Sequence, residues 1–286
     1  MTFKAESNKF IWINGEFVDS KDAKLHVLTH SLHYSGSVFE GEKAYNGKIF
    51  KLEEHVQRLM NSAKIMRLDI NYSFDEIMKA HNELLQKNNV TDSYIRPLIW
   101  RGSESMNITN KLLSVNLLIA SVPSPTRTSP PFNIHVSQWR KPNPNAFPPQ
   151  VKSSGHYAMI ITAQDEAKSL GFDDALLLDH RDYVAECTTS NIFFVKGDTL
   201  ITPIADSFLN GITRQTIIEL ARKLGIPTKE KHITLDKIDG YDECFTTGTA
   251  AEVKLIGSIY TDKNIIFEKN KVGSLLQKEY ADLVRL

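Results

Sequence analysis

Pro123-Ser-Pro-Thr-Arg-Thr-Ser-Pro-Pro131 places four prolines among residues with almost nothing apolar between them. Proline lacks a backbone N–H and fixes φ, so this stretch can hold neither a helix nor a strand ladder. It predicts a break between two domains, residues 1–122 and residues 132–286, with 123–131 as the loop joining them.

Before the break, two continuous apolar runs, Tyr94–Trp100 and Val115–Val122, read as strands buried on both faces. Ser73-Phe-Asp-Glu76 is a capping box opening a helix, whose Ile77, His81, Leu84 and Leu85 form one stripe. Val56, Leu59, Met60, Ala63 and Met66 recur at three and four, which predicts another helix over 54–67. Asn14-Gly15 and Asn46-Gly47 lie between apolar runs, the strongest short hairpin signal. Beyond the break come strand Phe132–Trp139, a second Pro-rich turn (142–149), and a helix that ends near Gly171. Strands follow at Ala175–Leu178, Tyr183–Glu186, Ile192–Val195, Thr199–Thr202 and Glu243–Thr246. Helix 212–224 stops at Gly225-Ile-Pro227, and Leu275, Leu276, Tyr280 and Leu283 mark a C-terminal amphipathic helix.

The chain has 286 residues, 41% of them hydrophobic, and 34 Lys plus Arg balance 34 Asp plus Glu. At that length about three quarters of the unfolded surface is buried, so disorder is excluded as the default. A net charge of zero leaves no global field to gather nucleic acid or an anionic membrane, and small molecules or further copies of the chain are the expected partners. Cys187 and Cys244 form no C-x-x-C, and reduced thiols in a cytoplasm fit best. No apolar run has the length of a signal peptide core or of a spanning helix, so a soluble protein is expected.

Phosphate-loop, dinucleotide and nucleophile-elbow motifs are absent. His26, His30 and His33 could share a helical face, either around a metal or in packing and hydrogen bonding. Gly211-Ile-Thr-Arg214 opens a helix, where free backbone N–H groups bind phosphate unless Thr213 simply caps the end. Thr246-Thr-Gly-Thr-Ala250 is a turn able to form a nest of N–H groups. Lys152 stands in a small-residue turn, as a solvated lysine or as a nucleophilic amine. Glu186 lies in an apolar stretch, where a carboxylate needs a cation or a proton; an ion pair within the protein would supply it.

Taken together, His33-Tyr-Ser-Gly-Ser-Val-Phe-Glu-Gly41, His55-Val-Gln-Arg-Leu59, Ser93-Tyr-Ile-Arg-Pro-Leu98, Lys152-Ser-Ser-Gly-His-Tyr157, Glu186 to Asn191, Gly211-Ile-Thr-Arg214 and Thr247-Gly-Thr-Ala-Ala-Glu252 occur in one order. In that order the chain resembles, over nearly its full length, the class IV pyridoxal-phosphate aminotransferases, and most closely the branched-chain amino acid aminotransferases among them. The resemblance implies an α/β (α+β) protein of fold type IV. A small N-terminal α/β domain (1–122) and a larger C-terminal pseudo-barrel domain (132–286) would enclose pyridoxal 5'-phosphate in the cleft between them.

By the same resemblance, Lys152 is the Schiff-base lysine and proton shuttle, and Glu186 faces the pyridine nitrogen, which gives this carboxylate its cation. Tyr157 bonds the cofactor's 3'-oxygen. Arg58 holds the phosphate with its guanidinium fork, aided by Ile212, Thr213 and Thr249, while Ser190, Asn191, Gly211 and Gly248 complete the cofactor set. Tyr94, Thr249 and Ala250 bind the substrate's α-carboxylate. Phe39, Tyr34 and Trp139 form an apolar pocket, and Met106 and Ile108 reach the site of a neighbouring subunit, which implies a homodimer. Arg96 pairs with the distal carboxylate of glutamate. The implied reaction is ping-pong transamination of L-leucine, L-isoleucine and L-valine with 2-oxoglutarate.

The chain departs from the family pattern in three places. Glu42 and Lys43 replace an apolar residue and an Arg, and the substrate-side Lys43 lacks a planar fork. Cys187-Thr-Thr-Ser190 replaces a Gly-rich stretch, as in D-amino acid aminotransferases, and the interdomain loop is short and without aromatics. A D-amino acid or (R)-amine aminotransferase, an aminodeoxychorismate lyase and a non-catalytic relative are the alternative readings.

Overall fold

The structure, a computed structural model, describes residues 8–109, 113–124 and 130–286; residues 125–129 of the expected interdomain loop lie outside the described residues. It divides into two compact units, Met1–Arg127 with Val151–Tyr157, and Thr128–Gln150 with Ala158–Leu286. Among the described residues no helix is long and apolar enough to cross a membrane.

The first unit contains β1 (Phe10–Ile13), β2 (Glu16–Asp19), α1 (His30–Tyr34), β3 (Ser37–Phe39), β4 (Glu42–Tyr45), β5 (Lys48–Ile49), α2 (Leu52–Ile65), α3 (Phe74–Asn88), β6 (Ser93–Arg101) and β7 (Val115–Pro123). Seven strands form one antiparallel sheet in the order β2-β1-β7-β6-β4-β5, with β3 on β6. Both Asn-Gly pairs turn hairpins as their sequence predicts, each with both residues at positive φ. The Ser73–Glu76 capping box forms in both directions at the start of α3, and Ile77, His81, Leu84 and Leu85 are buried. Helix α2 keeps the predicted stripe, two residues earlier than the periodicity alone places it.

The expectation that β6 and β7 are buried on both faces is corrected. Leu117, Ile119 and Ser121 are buried, while Asn116, Leu118 and Ala120 between them are only partly so, and Arg96 is exposed. The sheet is antiparallel, with α2 and α3 as its packing helices, and such sheets can leave one face open. That open face carries Tyr94 and Arg96.

The second unit contains β8 (Phe132–Lys141), α4 (Tyr157–Ser169, its first residue counted with the first unit), β9 (Asp174–Asp179), β10 (Val184–Cys187), β11 (Asn191–Lys196), β12 (Thr199–Thr202), α5 (Ile212–Lys223), β13 (Thr228–Glu230), β14 (Glu243–Gly248), β15 (Glu252–Tyr260), β16 (Asn264–Ile266) and α6 (Lys271–Leu283). Its sheet runs β10-β9-β8-β15-β14-β11-β12-β13, and a further pairing of β10 with β11 closes it into the barrel that the resemblance implies. The closing pair is Glu186 opposite Asn191. Strands β9, β10 and β11 are buried almost throughout because both of their faces are covered. Ile134, Leu176, Leu178, Ile192 and Phe194 belong to one apolar cluster, while Phe193 stacks on Phe245 (5.1 Å) across β11 and β14. Helices α5 and α6 pack on β14.

One polar pair is buried with α3. His81 sets Nε2 at 3.3 Å from Glu42 Oε2 and Nδ1 at 2.7 Å from the Ile77 carbonyl oxygen. Burial alone favours the neutral ring, but the Glu42 carboxylate and the hydrogen bonds raise the imidazole pKa above its usual value. A folded-state pKa raised in this way adds stability that is fully present below the unfolded value of about 6.5 and is lost as pH rises through the folded value. In urea unfolding, the stability difference between the parent and His81→Gln is expected to be largest at acid pH and to shrink toward alkaline pH. A difference that grew with pH would contradict this pairing.

Candidate active site

In the first unit the candidate site is built on β3. The turn at 151–157 belongs to this unit because it is stitched to that strand. Phe39 N donates to the Lys152 carbonyl (3.0 Å), Ser153 bridges Val38, and Ser37 Oγ donates to Ser154 Oγ (2.8 Å). The Lys152 backbone N–H adds a bond to Ser62 Oγ of α2 (3.3 Å). A lysine in a small-residue turn thus acquires a fixed stem. Its Nζ donates to Tyr157 Oη (2.7 Å) and lies over the rings of Phe39 and Tyr157 (5.0 and 5.3 Å).

The open sheet face adds further groups. Arg96 stacks its guanidinium over Phe39 (4.6 Å) and donates to Tyr94 Oη (2.8 Å). Tyr94 closes tightly on Gly41: a Cβ there would come within 2.2 Å of its hydroxyl oxygen, so any larger residue would have to displace the Tyr94 side chain. Lys43, opposite Tyr94 in the ladder, is buried over Tyr45. Lys152, Tyr157, Phe39, Tyr94, Arg96 and Lys43 therefore share one neighbourhood of this unit.

Arg58 differs from its expected use. Its fork is occupied by Glu40: Nε donates to Oε1 (2.6 Å) and Nη2 to Oε2 (2.8 Å), and His55 Nδ1 meets the same Oε2 (2.8 Å). Burial would raise the Glu40 pKa, but Arg58 and then His55 hold it well below the usual carboxylate range; Glu40 in turn keeps Arg58 high despite its burial. What remains is Nη1, buried and without a hydrogen-bond partner. An orphaned buried donor of this kind asks for an anion.

Tyr34, Met106 and Ile108 form a separate group. Tyr34 Oη donates to the Met106 carbonyl (3.1 Å), and His30 Nε2 lies 3.2 Å from that of Ile108. Tyr34, Met106 and Ile108 are exposed, as are Val27, Leu28 and Leu32. The three histidines take separate partners, since His33 meets the Val27 carbonyl and His26 Nδ1 accepts from Leu28 N. Among the described residues no group of His, Cys, Asp or Glu could hold a metal ion.

In the second unit the centre is the barrel closure. Asn191 Nδ2 donates to Glu186 Oε2 (3.1 Å) and to the Leu209 carbonyl (3.0 Å), while its Oδ1 accepts from Gly211 N (3.2 Å). Gly211 is the N-cap of α5, and no side chain caps this end. The reading of Thr213 as a plain cap is therefore corrected: it sits inside the first turn, and the amides of Ile212 and Thr213 lie where a helix has no internal acceptors. Thr246 Oγ1 lies against Ser190 Oγ and donates to the Asn191 carbonyl (2.8 Å), whereas the buried Thr247 hydroxyl has no partner. Gly248 ends β14, and Thr249 and Ala250 form the half-buried turn after it. Trp139, on β8, is half exposed.

Glu186 also has a cation of its own. Lys141 Nζ lies 2.8 Å from Oε1, with both residues buried. Glu40, His55 and Lys141 carry no assigned role in the sequence reading. Glu40 and His55 leave a signal, an acid directly after the apolar pair Val38-Phe39 and a histidine three residues before Arg58 on one helical face. Lys141 leaves none, because its neighbour Arg140 makes the pair read as a solvated strand end.

A family model described as amino-transferase class IV matches residues 37–259. The chain is 56% identical over 288 residues to the probable branched-chain-amino-acid aminotransferase of Rickettsia bellii, covering 100% of each chain. Among solved structures, a T.th. branched-chain amino acid aminotransferase with pyridoxamine 5'-phosphate aligns with a TM-score of 0.94 at 34% identity, covering 99% of this chain and 96% of that one. The same protein complexed with N-(5'-phosphopyridoxyl)-L-glutamate aligns at 0.92 and 35% identity, covering 99% and 95%.

Replacing Glu40 by Gln removes the anion between Arg58 and His55 without changing shape. Breaking one side of a buried ion pair costs about 3 kcal/mol or more. Urea unfolding at neutral pH should show a loss of that size, and an unchanged midpoint would mean that the Glu40 network is not what fixes α2 to β3.

Proposed function

The chain belongs to the class IV aminotransferases, and from that membership we propose that it transfers the amino group of L-leucine, L-isoleucine and L-valine to 2-oxoglutarate, in two half-reactions, with pyridoxal 5'-phosphate as cofactor. The observation that carries the reading is the Lys152 amine, bonded to Tyr157 and set beside Phe39 and Arg96 on one face. The relatives' names support the branched-chain substrates, and the phosphopyridoxyl-glutamate complex of the T.th. protein supports glutamate as the second donor.

The residues present fit the cofactor. Each unit by itself offers donors of the kind a phosphate takes: in the first, the buried and unpartnered Arg58 Nη1; in the second, the uncapped first turn of α5 with Thr213 and the buried, unpartnered Thr247 hydroxyl, with Ser190, Gly248 and Thr249 beside it in sequence or in the sheet. Glu186 would hold the ring nitrogen, with Asn191 and Gly211 fixing its surroundings, and Tyr157 the ring's oxygen. Bound there, pyridoxal phosphate supplies a sink for the electrons released at an amino acid's α-carbon.

Lys152 would hold the cofactor through Nζ, and its amine would take the proton from the substrate's α-carbon and deliver it to a second carbon rather than back to the first. Tyr157 keeps that amine aimed through its 2.7 Å bond. By the family resemblance, Tyr94 and the turn at Thr249 and Ala250 would bind the α-carboxylate, and Phe39, Tyr34 and Trp139 would receive a branched side chain, although Tyr34 stands apart with Met106 in this chain. Arg96 pairs with the distal carboxylate of glutamate. The apolar surface around Val27, Leu32, Met106 and Ile108 fits a second copy of the chain, so the working form is a homodimer. A cytoplasmic location agrees with two buried, free cysteines.

Mixing the purified protein with single amino donors tests this reading. L-leucine and L-glutamate should convert the bound cofactor's absorbance to that of its amine form, and D-alanine or (R)-phenylethylamine should not; conversion by the latter two alone would overturn the substrate assignment. Lys152→Ala should slow the half-reaction by at least about a hundredfold.

A further inference from the structure

The ion pair between Lys141 and Glu186 is buried on both sides, and it lies at the residue pair that closes the barrel. Glu186 Oε1 takes the Lys141 ammonium at 2.8 Å, and Oε2 takes the Asn191 amide at 3.1 Å. Both oxygens thus hold a protein donor, of which Lys141 alone brings charge. Placing two charges inside a barrel wall is costly, and an apolar pair of similar volume often stabilises as well. The pair therefore calls for a use that an apolar pair could not serve.

Resting on the reading that Glu186 faces the ring nitrogen of the cofactor, we infer that Lys141 is a positioning residue that keeps the proton on that nitrogen by holding Glu186 as its counter-anion. The argument is one of competing bases. A proton shared between a carboxylate and a pyridine nitrogen goes to the stronger base, and a buried carboxylate on its own becomes a strong one. An ammonium at contact distance weakens the carboxylate as a base, so the proton stays on the ring, where it makes the ring an effective acceptor of electrons. The ammonium touches Glu186 directly, so its effect on the carboxylate outweighs its repulsion of a ring charge farther away. Asn191, a neutral donor on the other oxygen, fixes the carboxylate's rotation and lacks the charge to do the rest.

The experiment reads the ring nitrogen itself. Holoenzyme is prepared with pyridoxal phosphate carrying 15N in the ring, and the resonance is compared for the parent, Glu186→Gln, Lys141→Gln, Lys141→Arg and the double variant Lys141→Met/Glu186→Gln. Lys141→Gln should move the ratio of protonated to unprotonated nitrogen about tenfold toward the unprotonated form, and Lys141→Arg, which keeps the charge, should leave it near the parent's. A parent-like signal in Lys141→Gln, with Glu186→Gln displaced, overturns the role given to Lys141 alone. A parent-like signal in Glu186→Gln means that the carboxylate does not face the ring, and the underlying reading fails first. The double variant leaves no unpaired buried charge and should fold even where Lys141→Gln does not. If Lys141 acts through Glu186, the double variant must be displaced no further from the parent than Glu186→Gln alone, and any further displacement overturns the inference.

Discussion

A sheet closes into a barrel only if its first strand finds an interior partner in register, and in the second unit that meeting of β10 with β11 is one residue pair, Glu186 opposite Asn191. Much of the unit's polar architecture is referred to this pair. Asn191 spends its amide on Glu186 and Leu209 and its oxygen on Gly211, so the closure also sets where α5 begins. The backbone of Asn191 lies opposite Thr247 on β14, which ties the hydroxyl-rich turn to the same point. A shift of one residue would turn Glu186 to the other side of the wall and leave a carboxylate among the apolar residues of β10.

The first unit uses the same device. Glu40, like Glu186, is a buried carboxylate following apolar residues, and it too is held by one cation and one further nitrogen ligand: Arg58 and His55 in one case, Lys141 and Asn191 in the other. In each unit the carboxylate ties a strand to an element distant in sequence, α2 in the first and β8 in the second. Beside one carboxylate Arg58 Nη1 is buried without a hydrogen-bond partner, and near the other the start of α5 has no side-chain cap. Each carboxylate thus helps to hold such a group in place within its own unit.

Local physics was legible in the sequence. The Asn-Gly hairpins, the Ser73 capping box and the stripe of α2 each depend on residues a few positions apart, so their readings survive in three dimensions. Glu186 was legible as an anomaly, an acid where apolar residues belong, although its cation was not, because Lys141 reaches it across a sheet from 45 positions earlier in the chain. Arg58 was legible as a residue and misread in its geometry: its fork goes to Glu40, a fact that depends on β3 lying beside α2. Of the two uses open to Thr213, the plain cap falls away because the helix starts at Gly211, whose amide Asn191 holds. What the sequence hid was pairing at long range, where several partners are chemically equivalent and topology alone chooses.

On the proposed function, the open face of the first unit would let one surface serve a hydrocarbon and an acid. The Arg96 guanidinium lies over Phe39, and a guanidinium is weakly hydrated on its planar faces while its edges donate strongly. On the proposed reading, a branched side chain rests against Phe39 and the flat of the guanidinium at little desolvation cost. A glutamate carboxylate instead meets the edge that now donates to Tyr94 Oη. Lys43 cannot substitute, because it is buried over Tyr45 and presents a point charge whose hydration is strong in every direction. The exposed Arg96, anchored by aromatic contacts at its planar face and donating from its edge, thus offers two surfaces that would suit the two kinds of substrate proposed.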